Sequence, residues 1–226
     1  MKTCKLYHRL ILLASSLFLL ASCDGGNSGA ITTPVRIVAF GDSLTAGYNL
    51  SIEESFPAQL QRRFLQDGST GVAIINQGIS GDTTQDGLAR LNKVLEANPD
   101  IVILELGAND ILRSAPAAKA RTNLSRIIVE LKKRDIAVLL TGIKVRGVFA
   151  LGNQSYVEYK TLFRDIAKEY ELPFYEDFLD GVIGRKNLNL SDGLHPNAKG
   201  IAVIVEGIYP QVAKLAAEAA SRKARK

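Results

Sequence analysis

Histidine is scarce in this chain. Only His8 and His195 occur, so chemistry that needs an imidazole base in the body of the protein has one place to find it. His195 lies in Ser191-Asp192-Gly193-Leu194-His195-Pro196-Asn197. A short turn through Gly193 can bring the Asp192 carboxylate back onto the ring, where it fixes the tautomer and stabilises the imidazolium. Gly41-Asp42-Ser43-Leu44 places a serine directly after an apolar run. A hydroxyl is a poor nucleophile until a base takes its proton. Serine, histidine and acid together make a complete set for nucleophilic acyl transfer. The plainer alternatives are a solvated loop around His195 and a helix N-cap at Ser43, which can also do both jobs.

Acyl transfer needs donors for the tetrahedral oxyanion. The Ser43 and Gly81 backbone N–H groups and the Asn109 side-chain amide are candidates. Gly81 could equally be a simple turn, and Asn109 a residue that stabilises a turn with its side chain. Ile111 and Leu112 follow Asn109, and Val145, Val148, Phe149 and Leu151 form a second apolar group. Both groups would rim the site and could hold a medium or long acyl chain, or could simply pack their loops onto the domain. Arg113, Lys144 and Arg146 are candidates for an anionic head group or for solvated charge.

These residues need a scaffold that brings them together. Val35–Phe40, Val72–Asn76, Ile101–Leu106, Ile136–Thr141 and Pro173–Tyr175 read as strands. Pro57–Gln66, Thr84–Ala97, Ala117–Arg134, Tyr156–Tyr170 and Ala198–Ala220 carry helical apolar spacing, and Pro210 is expected to bend or split the last. Ile101–Leu106 is nearly all apolar, as a parallel strand covered on both faces should be. Strand–helix alternation implies an α/β fold, a parallel sheet with helices on both faces, and a site beyond the carboxyl ends of the strands. The polar groups Gly41–Ser43, Gly78–Asp82 and Gly107–Asp110 each follow a strand, as that rule requires.

GDSLTAGY, GISGDTT, GAND and DGLHPN occur in that order. This pattern resembles the SGNH (GDSL) hydrolases from about Val35 to about Leu215. NQGISGDTTQDGLARL and ILELGANDILR are similar to the arylesterase and multifunctional acyl thioesterase/lysophospholipase branch. The resemblance implies Ser43 as nucleophile, His195 as base and Asp192 as its partner. It implies Gly81 and Asn109 as oxyanion donors beside the Ser43 amide. It further implies a flavodoxin-like three-layer α/β/α fold with a five-stranded parallel sheet, no metal or organic cofactor, and acyl ester or thioester substrates. The Ser43 block is not the G-x-S-x-G elbow of α/β-hydrolases. Deacetylation of an envelope glycan is the alternative within esterases, and a ligand-binding lipoprotein without turnover is the alternative outside them.

The 226 residues suit one domain with a sizeable core. Net charge is +5, but Lys2, Lys5 and Arg9 and the C-terminal Arg222, Lys223, Arg225 and Lys226 supply the excess. The near-neutral body argues against a nucleic-acid partner, and a monomer is expected. Residues 1–22 read as a lipoprotein signal, with a basic start, the apolar run Leu10–Leu20, and Leu20-Ala21-Ser22-Cys23 resembling a lipobox. Cys23 is the expected lipidation site. Cys4 would leave with the signal, so the mature chain has no cysteine pair. Residues 23–34 read as the lipidated Cys and a flexible tether, 35–216 as the hydrolase domain and 217–226 as a basic tail. The expectation is an exported, membrane-anchored lipoprotein facing the bacterial periplasm. The basic end could lie along an anionic membrane; complementing a helix dipole is its plainer use.

Overall fold

The computed structural model describes residues 34–144 and 154–225. The expected signal, Cys23, the tether before Pro34, and Val145, Val148 and Phe149 lie outside them. Five strands form one sheet: β1 Val35–Gly41, β2 Val72–Gly78, β3 Ile101–Glu105, β4 Ala137–Thr141 and β5 Phe174–Tyr175. Their order is β2-β1-β3-β4-β5, and every pairing is parallel. This is the flavodoxin-like order, in which the strand order reverses between β1 and β3 while the strands stay parallel. Ligands bind in such sheets where that reversal opens a crevice at the carboxyl end.

The strand sequences follow their positions. Central β3 is buried at all its positions, because helices cover both faces. Edge strand β2 is only half-buried. Eight α-helices complete the described residues: α1 Ser43–Ala46, α2 Phe56–Gln66, α3 Thr84–Ala89, α4 Leu91–Glu96, α5 Ala108–Leu112, α6 Ala117–Lys132, α7 Gln154–Glu169 and α8 Ala198–Lys223. Helix α2 packs on α8, while α3 and α7 pack on α6. Apolar residues of sheet and helices make one core that includes Ile37, Phe40, Leu60, Leu104, Leu124, Ile166, Ile204 and Val212.

Two helices depart from the sequence expectation. Thr84–Ala97 is not one helix but α3 and α4, separated at Arg90. At the break the Arg90 side chain reaches back to the loops, donating to Asp82 Oδ2 at 2.6 Å and to Gly41 O at 2.9 Å. Pro210, in contrast, does not split the last helix: α8 runs through it. Proline costs a helix interior about 3 kcal/mol. Ile204, Val205, Ile208, Tyr209 and Val212 are buried on either side of it, and that packing outweighs the local penalty. The helix continues to Lys223, so residues 217–223 are not a tail. Ala219 is buried, and Lys223 Nζ meets Asp100 Oδ2 at 2.6 Å and Pro34 O at 2.9 Å.

Candidate active site

Helix α1 begins where β1 ends. Its N-cap is Asp42, whose side chain accepts from the Leu44 N–H at 3.0 Å. Ser43 is therefore the first helical residue rather than the cap, and its hydroxyl has another partner. Ser43 Oγ lies 2.9 Å from His195 Nε2, across 152 residues of sequence. His195 Nδ1 lies 2.7 Å from Asp192 Oδ2. That contact places the ring proton on Nδ1 and leaves Nε2 as the acceptor.

The loop before α8 holds this geometry by short-range bonds. Asp192 Oδ1 accepts from the Leu194 and His195 N–H groups at 2.9 and 3.0 Å. Gly193, at φ +70°, makes the reversal that a side chain would strain. Leu190 N–H donates to His195 O at 2.8 Å. Asn197 caps α8 by accepting from Lys199 and Gly200, and its amide nitrogen donates to Asn187 O and Asn189 O. Burial pushes the Asp192 carboxyl up, but the two backbone N–H groups and the His195 ring outweigh it, so the group sits below the usual carboxylate range. The Tyr48 ring lies against His195, with centroids 4.4 Å apart. Nothing in the sequence pattern singled out Tyr48.

Asn109 stands on α5, directly after β3. Its Nδ2 donates to Asp42 Oδ2 at 3.2 Å and to Asp82 O at 3.0 Å. Gly81, in the loop after β2, has φ +90°. Its carbonyl accepts from Arg113 at 2.8 Å, so the exposed Arg113 side chain is tied to the loop after β2. Asp110 is buried and accepts from both the amide and the hydroxyl of Thr84, each at 2.7 Å. The loops after β2 and β3 are thus joined by side chains. Ser43, Asn109 and His195 line one cleft. Gly81 is not among its lining residues.

Two acids lie beneath Ser43 with almost no solvent contact. Burial pushes Asp42 up to about 6, against the pull of the Leu44 N–H and the His195 charge. Glu105, the last residue of β3, is 1% exposed. Burial first, and then the neighbouring Asp42 charge, raise its carboxyl well above the ordinary range. Glu105 Oε2 accepts from the Thr45 hydroxyl at 2.8 Å and from the Asp42 N–H at 3.4 Å. Among the described residues no group of three His, Cys, Asp or Glu is placed to hold a metal ion.

The cleft beside Ser43 has a volume of about 130 Å³, and its apolar walls are Leu44, Leu112, Ile143, Leu179, Ile183 and Leu194. Leu112 takes the expected position. Ile111 does not: it is 2% exposed and packs in the core. Successive residues of a helix point about 100° apart, so only one of the pair can face the cleft. Leu179 and Ile183 come from the irregular segment after β5, where no periodicity marked them. Lys144 lines the cleft and pairs with Glu176 at 3.4 Å, and Glu176 also pairs with Arg164.

The sequence profile of the GDSL-like lipase/acylhydrolase family matches residues 39–203. An arylesterase from Vibrio mimicus is 35% identical over 188 residues, covering 83% of this chain and 92% of that one. Thioesterase 1/protease 1/lysophospholipase L1 of Escherichia coli K12 is 30% identical over 180 residues, covering 79% and 84%. Among solved structures, AlinE4, an SGNH-hydrolase family esterase, is 40% identical and superposes with a TM-score of 0.65 over 80% of this chain and 96% of its own.

Proposed function

The chain belongs to the GDSL-like lipase/acylhydrolase family, and from that premise we propose that it is a serine esterase acting on acyl esters and thioesters. The observation that carries the reading is the contact of His195 Nε2 with Ser43 Oγ, backed by Asp192 on the other ring nitrogen. His195 takes the Ser43 proton as Oγ attacks the substrate carbonyl. Asp192 steadies the imidazolium. The oxyanion lies by the Ser43 and Gly81 amides and the Asn109 side chain, each such donor contributing ~3 kcal/mol to the transition state. His195 then hands its proton to the departing alcohol or thiol. Water then attacks the acyl-serine while His195 takes its proton; the acyl–Oγ bond breaks, His195 returns that proton to Ser43 Oγ, and the carboxylic acid leaves.

The acyl chain lies along Leu112, Ile143, Leu179 and Ile183, where each buried CH₂ contributes roughly 0.8 kcal/mol. A p-nitrophenyl ester and acyl-CoA panel on the wild type and Ser43→Ala tests both parts. Turnover in the wild type, lost in Ser43→Ala and rising from acetate to medium chains, is expected. Activity that survives in Ser43→Ala would refute the nucleophile, and acetate-only activity would refute the acyl cleft.

Export and lipid anchoring through Cys23 are the second part of the proposal. They are supported by the basic start, the apolar run and the lipobox-like Leu20–Cys23. Mass spectrometry of the membrane fraction should find acyl chains on Cys23, and a Cys23→Ala protein should lose them. An unmodified cysteine would sink this part alone.

A further inference from the structure

We propose that Asp42 is a positioning residue acting through Asn109: its carboxylate fixes which end of the Asn109 amide faces the reacting centre, while capping the turn that carries Ser43. The inference rests on the esterase reading above.

Both partners of Asn109 Nδ2 are atoms that only accept, Asp42 Oδ2 and Asp82 O. An amide rotated by 180° would turn its own oxygen on both of them. Only the orientation with nitrogen inward is satisfied. A rotated Asn109 would meet the developing oxyanion with a carbonyl oxygen, which repels it. The second Asp42 oxygen accepts from the Leu44 N–H, in the first turn of the helix that Ser43 opens. One buried side chain therefore sets the nucleophile turn and a candidate oxyanion donor in a common frame.

The geometry also defines how the donor works. Nδ2 carries two hydrogens and already has two acceptors, so the oxyanion must share one hydrogen as a three-centre bond. Such sharing requires the nitrogen to stay where Asp42 and Asp82 hold it. Glu105 on β3, Asp82 after β2 and His195 before α8 are the titratable groups that face the Asp42 carboxyl, and Arg90 is bound to Asp82.

A double-mutant cycle on the full chain tests this. Asp42→Ser retains an oxygen able to cap Leu44 but is too short to reach Asn109. The four proteins are wild type, Asp42→Ser, Asn109→Ala and the double variant, each measured for kcat and KM on one p-nitrophenyl ester. Asp42→Ser should lower kcat roughly tenfold to a hundredfold and leave KM within about threefold. In the Asn109→Ala background the same substitution should cost less than about twofold, because its target is gone. An equal loss in both backgrounds, or a wild-type kcat in Asp42→Ser, overturns the proposal. Should thermal unfolding show that Asp42→Ser does not fold, isosteric Asp42→Asn goes through the same cycle and is judged by the same two results. Activity retained in Ser43→Ala would mean that the esterase reading has failed. An additive cycle with an inactive Ser43→Ala would mean that only the present inference has.

Discussion

The Thr45 hydroxyl donates to Glu105 Oε2 at 2.8 Å beneath the nucleophile turn, and the carboxyl that accepts it is buried beside a second acid, Asp42. A carboxyl in that position is more stable with its proton on. Its raised value in the folded chain means that folding is favoured at low pH and loses support as pH rises from the unfolded value toward the folded one.

Glu105→Gln removes that titration at almost constant shape. The thermal midpoint of the variant relative to wild type should rise with pH above about 4.5, at ~1.4 kcal/mol per pH unit while the window lasts. That corresponds to roughly 3–5 °C per unit for a chain of this size. Midpoints taken across a series of buffers from pH 4 to 8 give the difference directly. A constant offset between the two proteins would mean that Glu105 is ionised in the folded state throughout.

The acid limb of activity should carry a contribution from Asp42. Below about pH 6 the Asp42 carboxylate takes a proton, which loosens Asn109 and lowers kcat. The logarithm of kcat should therefore fall more steeply with decreasing pH in the wild type than in Asp42→Ser. Acid limbs of equal steepness in the two proteins would remove Asp42 from the profile.

Arg113 holds the Gly81 carbonyl from an exposed position. Its loss should let the Gly81 peptide swing without disturbing the core. Arg113→Ala is expected to lower kcat about tenfold, less than deleting a donor outright. Stability should stay within ~0.5 kcal/mol by urea unfolding. A kcat equal to wild type would show that Gly81 needs no such support.

Ile183 bounds the cleft from the segment after β5. Ile183→Phe should shorten the acyl chain accepted, leaving acetate turnover unchanged and reducing medium-chain kcat/KM by about fourfold for each displaced methylene. A uniform loss across chain lengths would place the acyl group elsewhere.

The site was legible where chemistry is rare or order is informative. His195 stood out because the body of the chain has no other imidazole, and Ser43 and Asn109 because each follows a strand; Gly81 was read by the same rule but does not line the cleft. β3 was legible because burial on both faces leaves an uninterrupted apolar run. What escaped was decided by contacts between distant segments. The break at Arg90 depends on Asp82 and Gly41, and the continuity of α8 past Pro210 depends on packing that no local propensity encodes. Leu179 and Ile183 lie in irregular chain with no period to betray a face. Ile111 and Leu112 were both assigned to the rim because their common helix, α5, is too short to show its face in sequence. Asp42 carried a readable signal, since an acid directly before a helix start is a common cap; its contact with Asn109 did not.

The central claim is that His195 draws the proton from Ser43, and covalent labelling reads it most directly. The protein is treated with a fluorophosphonate, and the modified peptide is located by mass spectrometry over time. The expected result is a single adduct on Ser43, absent in Ser43→Ala and slowed by orders of magnitude in His195→Ala. An adduct on another residue, or labelling of Ser43 at an unchanged rate without His195, would contradict it.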